Sequence, residues 1–353
     1  MTWCGAGGWG GSAAVNGGYF LRGHRDDYAT WPWSQERIAA TFDRLDGGAA
    51  GGGLLRVSAF ADAELGPVAN TFESYWRSGG LAFSEATPWA GTGLNRVRSN
   101  RHAGARWTAA DALPLPVDTT LVRATATALI GAHGTIVGVR TTAGRIYAPE
   151  IVLAAGTLGS GALLLPWTGP LTTLEHPERI VRFASRTGLT PVPLLQTVLH
   201  TDDGLEVRCY GDDFAAYIPG VPRRGVPIGV ADMSRPTRGV LAMNGSLDLG
   251  DPDEDSRARL ERGVDDVVAM LVSPAFADLV EPGSIVVEPV IGMSSHAWGT
   301  LPLGERTDAA GRLDGLAGVR VVDGSVLTAL LRGGPHASVL AAAALIAETM
   351  RAE

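Results

Sequence analysis

The amino-acid sequence predicts an α/β protein with a parallel sheet in one domain and an inserted α+β domain built on an antiparallel sheet. The apolar run at residues 151–155 closes at Gly156, which is typical of a strand buried on both faces of a parallel sheet. The final stretch, 319–350, reads as strand, loop and helix. Between them, residues 171–290 carry short strands of alternating polarity, which favours an antiparallel sheet.

The segments before residue 151 supply the other elements of the first domain. Residues 1–24 are rich in glycine, and Ser34 is a typical N-cap for an amphipathic helix. The run DGGAAGGG at 46–53 predicts a loop or linker. Strands are expected at 120–129, 136–142 (after a turn at 131–134), 145–148 and 151–155.

The inserted segment and the final stretch have equally clear patterns. A helix is expected where apolar residues recur at helical spacing, namely at Leu260, Val264, Val268 and Leu271. Strands are expected at 205–210, 240–243, 284–290 and 319–322. A last helix spans 335–350, with Pro335 in the first turn, where proline is tolerated.

Composition restricts the class of protein. Of 353 residues, 45% are hydrophobic and 19% charged, which is typical of a globular chain, and the net charge of −8 argues against nucleic-acid binding. Cys4 and Cys209 stand in neither CxxC nor metal-ligand spacing, which fits a reducing compartment. The apolar stretch 339–347 is too short to cross a bilayer. We expect a cytoplasmic protein and leave open peripheral contact with the inner face of the membrane.

The glycine-rich start contains one misleading motif and one informative motif. Residues 5–10 match GxGxxG, but that fingerprint needs a preceding strand and only four residues precede it, so we reject it. The longer run GGSAAVNGGYFLRGH is more informative. Gly10 and Gly11 let backbone N–H groups approach a ligand, and Ser12 and Asn16 add short polar side chains.

Two histidines stand in distinctive frames. His296 lies in SSHAWGT, and His336 lies in GGPH at the start of a helix, where the partial positive charge of the helix end favours an anion. Asp323 in VVDGSV precedes the second frame. The remaining histidines are expected to be structural: His24, His102, His133, His176 and His200.

The order of these motifs, with IVLAAGTLGSGALLL between them, resembles the glucose-methanol-choline (GMC) family of flavin oxidoreductases. The resemblance implies FAD as cofactor. No cluster of His, Cys and Asp at metal-ligand spacing occurs in the sequence, so we expect no metal. The resemblance further implies that His296 is the catalytic base and that His336 orients the substrate hydroxyl. The cofactor-binding residues that it implies are Gly10, Gly11, Ser12, Asn16, Gly17, Ala128 (through its backbone, on adenine), Gly156, Asp323 and Gly324.

The resemblance also implies a domain arrangement. It predicts an incomplete Rossmann-like FAD-binding domain whose first βαβ unit is missing, because the chain begins where the second family landmark would lie. The predicted FAD-binding domain is discontinuous, over 1–60, 115–170 and 290–353. The predicted substrate-binding domain covers 61–114 and 171–289.

The implied reaction is FAD-dependent oxidation of an alcohol, with a proton taken by His296 and a hydride passed to flavin N5. The run AVNGGYFLRGHRDDYATWPW is similar to the GMC branch associated with mycofactocin, a peptide-derived redox cofactor. That implies electron transfer to a quinone, a cytochrome or a mycofactocin-linked acceptor, with O2 as the other acceptor.

Two departures leave alternatives open. The family's Cys/Arg-Met-Gly run after H-x-x-G-T is replaced by LPLG at 301–304, and the phosphate loop is missing. One alternative is an inactive or non-FAD-binding fragment that serves as a binding module. The other is a lyase-like member in which FAD is structural and the two histidines perform acid–base chemistry alone.

Overall fold

The computed structural model describes residues 10–84 and 88–353. The helices in this part of the chain are α1 (Gln35–Asp46), α2 (Pro67–Ser78), α3 (Ala109–Ala112), α4 (Thr157–Thr168), α5 (Glu254–Leu271) and α6 (His336–Arg351). The strands are β1 (Val57–Ala59), β2 (Gly93–Arg96), β3 (Arg98–His102), β4 (Ala105–Arg106), β5 (Ala126–Ala132), β6 (Thr135–Thr141), β7 (Gly144–Tyr147), β8 (Ile151–Leu153), β9 (Leu171–Glu175), β10 (Pro177–Phe183), β11 (Leu195–His200), β12 (Leu205–Tyr210), β13 (Val226–Asp232), β14 (Thr237–Leu241), β15 (Leu247–Asp248), β16 (Val286–Val287), β17 (Gly292–Met293), β18 (Arg312–Leu313) and β19 (Leu316–Val321).

A mixed sheet lies at the centre of the first hydrophobic core. Strand β19 runs parallel to β8, with Val319 opposite Ile151, and parallel to β6 at Ala317. Strands β5, β6 and β7 form an antiparallel meander on the same sheet. Helices α1, α4 and α6 contribute apolar residues to this core. The predicted α/β class is confirmed, whereas the incomplete Rossmann-like arrangement stays a prediction.

A larger antiparallel sheet forms the second core. Its strand order is β16-β10-β13-β12-β11-β2, and β17 pairs with the end of β10. One face is apolar and packs on α5 and α2. Helix α5 packs closely on the sheet, since a β-carbon on Gly263 of the helix would lie 2.7 Å from Val230 Cγ1 on β13. Because side chains alternate along a strand, the opposite face is free for polar residues, among them Glu178, Glu206 and Arg208.

Strand β8 departs from its predicted burial. It spans three residues rather than five, and the Val152 side chain is 48% exposed, so the expectation of burial on both faces is wrong. The parallel pairing with β19 is present, but nothing in the described residues covers the outer face of β8. Residues 120–125, predicted as strand, lie outside β5, and β16 is shorter than the predicted 284–290.

The helix predictions agree well with the structure. Ser34 caps α1, with its Oγ accepting a hydrogen bond from Arg37 N at 3.3 Å. The run 46–53, predicted as a loop or linker, is a loop that folds back tightly. Gly47 ends α1 with φ 79°, and a β-carbon on Gly53 would lie 2.4 Å from Gly47 N.

A separate three-stranded sheet has the order β15-β14-β9. Leu171, Leu174 and Leu241 on this sheet pack in the first core, beside α4, and Gly161 leaves room for Leu241. Residues 171–175 therefore pack with the predicted FAD-binding segments, although the predicted boundary lies at 170. The domain limits as a whole stay a prediction.

Two compositional expectations have structural counterparts. Cys209 is a free, buried thiol whose pKa is raised by burial, and Cys4 lies outside the described residues. No helix within residues 10–84 and 88–353 is long and apolar enough to cross a membrane.

Candidate active site

His296 lies on a strained turn beside the start of α6. The preceding residue, Ser295, has φ 61°, a conformation that is costly for a residue with a side chain. A β-carbon on Gly334 would lie 3.9 Å from His296 Cε1, so the imidazole adjoins the loop that leads to His336. The two histidines predicted from their frames are thus brought together by the fold.

Glu175 holds this turn in place. It is fully buried at the end of β9, and its Oε2 accepts a hydrogen bond from His296 N at 2.6 Å. Its Oε1 accepts one from His176 N at 2.9 Å. Burial raises the pKa of the Glu175 carboxyl to about 7. The carboxylate therefore links β9 to the segment that carries the predicted base.

His176 completes a buried group under the site. Its Nε2 donates to Leu331 O at 2.7 Å, so Nδ1 is the unprotonated nitrogen, and Nδ1 has no partner among the described residues. The ring packs on Trp298, with centroids 4.5 Å apart, and burial lowers its pKa to about 4. The structural role expected for His176 agrees with this packing.

Potential ligand atoms of Glu175, His176 and His296 lie within 4.8 Å of one another, a spacing that could hold a metal ion. Both Glu175 oxygens already accept backbone N–H groups, and His176 Nε2 is occupied by Leu331. A metal would have to compete with these bonds. The expectation of no metal stays a prediction.

Asn16 fixes the protonation of His336. The amide oxygen Oδ1 of Asn16 accepts hydrogen bonds from Gly18 N at 2.8 Å and from the Arg106 guanidinium, so the amide nitrogen must point the other way. That nitrogen lies 3.1 Å from His336 Nδ1 and donates to it. The proton of a neutral His336 is therefore on Nε2, a buried atom with no partner among the described residues.

Both histidines are neutral at physiological pH. The pKa of His336 is lowered to about 4 by burial, against the opposing effect of the Tyr19 carbonyl and with a smaller contribution from Arg106. For His296, burial and then Arg208 and His176 lower the pKa to about 3. His296 Nδ1 is enclosed without a partner. The site thus holds one imidazole with a defined N–H donor and a second imidazole able to accept a proton.

The glycine-rich turn directly precedes Asn16, the residue that contacts His336. Gly10 (φ 91°) and Gly11 (φ 56°) open a 3-10 turn over Gly11–Ala14. The space around Gly11 is open, and Ser12 is exposed. Gly17 is half-buried between Asn16 and Gly18. Most of the rejected GxGxxG match, residues 5–9, lies outside the described residues.

Arg106 is a site residue that the sequence did not reveal. Its guanidinium donates to the backbone and side-chain oxygens of Asn16 and to Ala13 O. No ion pair of Arg106 is found in the described part of the chain, and burial lowers its pKa. No motif surrounds it, so only its contacts identify it.

Asp323, Gly324 and Gly156 form a second cluster. Asp323 Oδ2 accepts from Ser160 Oγ at 2.5 Å, and its Oδ1 accepts from Ser325 N at 2.9 Å. A β-carbon on Gly324 would lie 2.5 Å from Thr157 Oγ1. Gly156 has φ 79° at the start of α4, with open space around it. Asp323 thus anchors the Gly156 turn, and its predicted contact with the cofactor stays a prediction.

Ala128 contacts neither the histidine site nor the cluster around Asp323 among the contacts that the structure shows. It is half-buried on β5 opposite Arg140, next to an irregularity in the strand pairing. Such a bulge leaves local backbone groups outside the regular ladder. Its predicted backbone contact with adenine is not tested.

The sheet face above the site carries a polar network that the sequence analysis missed. Arg208 Nε donates to Glu206 Oε1 at 2.6 Å, and its Nη1 lies 3.3 Å from Glu178 Oε1 and 2.9 Å from Ser294 Oγ. His200 Nε2 lies 2.8 Å from the other Glu206 oxygen. The alternation of these residues along β10, β11 and β12 could have indicated the network, since alternate residues of a strand share one face of the sheet.

A cavity of about 260 Å³ opens beside this network. It is lined by Glu178, Ile180, Tyr210, Phe214, Gly292, Met293, Ser294 and Ser295. Ser295 is bonded directly to His296, so the cavity wall includes the segment that leads to the predicted base, although neither His296 nor His336 lines the cavity.

Replacing Glu175 by glutamine removes the titrating carboxyl while nearly keeping the size of the side chain, and so tests how this carboxyl affects stability at each pH. The pKa of Glu175 rises from 4.5 to about 7 on folding, so the folded chain binds more protons in that window and loses stability as pH rises through it. Glutamine does not titrate. We expect the stability of Glu175→Gln relative to the parent to increase by on the order of 3 kcal/mol between about pH 4 and pH 8.

Denaturant unfolding of both proteins across this pH range checks the prediction. Subtracting the free energies of unfolding of the two proteins at each pH cancels the contribution of the titrating groups that they share. Parallel stability profiles would contradict the assignment of a raised pKa to this buried carboxyl.

The fold and the histidine pair define a class: a mixed α/β protein in which two neutral imidazoles lie on adjoining segments. No family model matches the chain. A curated protein of Rhodococcus erythropolis, described as an uncharacterized GMC-type oxidoreductase, is 25% identical over 397 residues, which cover 94% of this chain and 79% of that protein. An oxygen-dependent choline dehydrogenase of Brucella anthropi is 29% identical over 203 residues, 51% of this chain and 37% of that enzyme.

Solved structures agree with these relatives. Pyridoxine 4-oxidase from Mesorbium loti superposes with a TM-score of 0.79 at 22% identity, over 99% of this chain and 85% of that chain. A formate oxidase variant from Aspergillus oryzae gives 0.76 at 16% identity, over 97% and 83%. The predicted resemblance to the GMC-type flavin oxidoreductases is therefore confirmed.

Proposed function

We propose that this chain oxidises the CH–OH group of a small alcohol with FAD as the electron acceptor in the site. The observation that carries the proposal is the pair of neutral histidines, His296 and His336, held beside the glycine-rich turn by Glu175 and Asn16. The GMC-type relatives support the enzyme class and the cofactor.

The residues present fit a flavin. Gly11 and Gly156 both have positive φ and open space where a side chain would otherwise intrude, as a cradle for a bound cofactor requires. The start of α4 behind Gly156 and the start of α6 at His336 add the partial positive charge of helix ends. Arg106 adds a full positive charge near the same turn. These features favour the pyrophosphate and the reduced, anionic ring.

In the proposed reaction each histidine has a separate task. His336 donates its Nε2–H to the substrate hydroxyl oxygen and orients the alcohol, because Asn16 keeps Nδ1 as an acceptor. A ring nitrogen of neutral His296 takes the hydroxyl proton as the hydride leaves the adjacent carbon. A bound FAD would supply the hydride acceptor, at its N5. Glu175 maintains the His296 turn throughout.

The completeness of the sheet, the electron acceptor and the cellular location concern finer detail than the reaction class. We propose that β8 and β19 belong to a Rossmann-like FAD-binding sheet that is incomplete over the described residues. Its support is that β8 pairs with β19 alone there and leaves Val152 exposed. Mycofactocin-linked, quinone, cytochrome or O2 acceptors, and a cytoplasmic location, remain predictions from the sequence.

Anaerobic mixing of the FAD-loaded chain with a panel of small alcohols tests the proposed function. We expect at least one alcohol to bleach the flavin absorbance, and the corresponding aldehyde or ketone to appear in equal amount. A chain that binds FAD but is not bleached by any alcohol, aliphatic or aromatic, would contradict alcohol oxidation.

A further inference from the structure

The guanidinium of Arg106 is a half-buried positive charge that directs its hydrogen bonds at one short segment. Arg106 lies on β4, opposite Arg101 of β3. It donates to Ala13 O at 3.3 Å and to both the backbone and the side-chain oxygen of Asn16. Burying a charge is unfavourable unless polar partners compensate it. Since most of that compensation comes from Asn16, the two side chains act as a unit.

The amide group of Asn16 can point in two directions, and Arg106 distinguishes them. In the observed one, Oδ1 accepts from Gly18 N at 2.8 Å and from Arg106 Nη1 at 2.5 Å. Inverting the amide would turn its NH2 group towards both donors and lose both hydrogen bonds. The bond from the guanidinium is charge-assisted and so about twice as strong as the neutral bond from Gly18. Arg106 therefore contributes most to holding the amide.

The Nδ1 atom of His336 has two neighbours that demand opposite protonation. The Asn16 amide nitrogen lies 3.1 Å away and donates, which requires Nδ1 to be bare. The Tyr19 carbonyl oxygen lies 3.4 Å away and would accept, which requires Nδ1 to carry the proton. The ring itself packs edge to face on Phe20, with centroids 5.5 Å apart. The direction of the Asn16 amide thus decides which ring nitrogen is protonated.

We propose that Arg106 is a positioning residue for the proposed reaction: by holding the Asn16 amide in one direction, it keeps the proton of His336 on Nε2. Arg106 acts through Asn16 and needs no contact with the substrate. Without the guanidinium, only Gly18 N holds the amide. An inverted amide would offer Oδ1 to a protonated Nδ1, and Tyr19 O would add a second acceptor. The use of Nε2–H to orient a hydroxyl rests on the proposed function, whereas its presence does not.

The protonation of His336 can be measured directly by NMR of the full chain labelled with 15N-histidine and incubated with FAD. Long-range 1H–15N spectra distinguish a protonated ring nitrogen from a bare one, and His336→Asn identifies the signals among the seven histidines. We expect the parent to be protonated on Nε2. Arg106→Met should lower the ratio of the Nε2–H form to the Nδ1–H form by on the order of tenfold, as loss of one charge-assisted hydrogen bond predicts.

Two further variants make this result specific. Arg101→Met removes the opposite guanidinium of the same hairpin, which pairs with Glu64, and should leave the ratio unchanged. Arg106→Gln keeps a neutral donor and should lower the ratio only about threefold, because a neutral bond is about half as strong. It replaces the methionine variant if that variant does not fold. A parent protonated on Nδ1, or an unchanged ratio in a folded Arg106 variant, would overturn the proposal.

Anaerobic flavin reduction by an alcohol separates this proposal from the proposed function. If both hold, the limiting rate of reduction should fall in Arg106→Met together with the Nε2–H form, and Arg101→Met should keep the parent rate. A shifted ratio in a chain that no alcohol reduces would contradict alcohol oxidation and leave the role of Arg106 intact. An unshifted ratio in a chain that oxidises alcohols would do the reverse.

Discussion

His296→Ala is expected to lower kcat by on the order of 10²–10⁴, the usual value of general base catalysis. The side chain follows Ser295, which lines the cavity, and its lowered pKa keeps the imidazole neutral, with the lone pair of a ring nitrogen available for a proton. FAD binding should persist, because the backbone N–H that anchors this turn to Glu175 is retained in alanine. Rapid-mixing measurement of flavin reduction isolates the chemical step.

The matched control is His133→Asn. His133 is an exposed histidine in the turn between β5 and β6, with φ 50°, which asparagine tolerates. Its replacement should leave the reduction rate unchanged. A loss of less than about tenfold in His296→Ala, with FAD still bound, would remove the residue from the role of base.

Asp46→Ala is expected to cost about 3–5 kcal/mol of stability, because it removes the buried carboxylate of a buried ion pair and leaves the guanidinium only the exposed Asp43. Arg22 is 1% exposed and donates through Nε to Asp46 Oδ2 at 2.8 Å, with a second bond to Oδ1. Asp46 also accepts from Gly48 N at 2.8 Å and so holds the glycine-rich turn after α1. This is the largest stability effect that we expect from a single substitution.

Asp43→Ala is the control for that effect. Asp43 contacts the same guanidinium at 2.7 Å, but its side chain is 61% exposed, so its loss should cost less than about 1 kcal/mol. Denaturant unfolding of both variants gives the two values. Equal losses would show that burial does not set the strength of the Arg22 contacts.

The sequence predicted the elements whose signal is local. Ser34 predicted the start of α1, and the apolar spacing of Leu260 and Val264 predicted α5. The two histidine frames could also be recognised from the sequence, because each places a histidine in a short, specific string. The structure brings His296 and His336 to adjoining loops.

The sequence could not predict contacts made between distant segments. Glu175 lies 121 positions from the N–H group that it binds, and Arg106 lies 90 positions from Asn16. Neither residue stands in a recognisable string. The exposure of Val152 was also beyond a pattern argument, because an apolar run predicts a buried strand only where other elements cover it.

The most direct test of the account is the absorption spectrum of residues 1–353 after incubation with FAD and removal of free cofactor. We predict flavin bands at about one FAD per chain, since Gly11 and Gly156 have open space beside them and the starts of α4 and α6 carry partial positive charge. A folded protein that emerges colourless would contradict a flavin site in this chain, and with it the proposed oxidation.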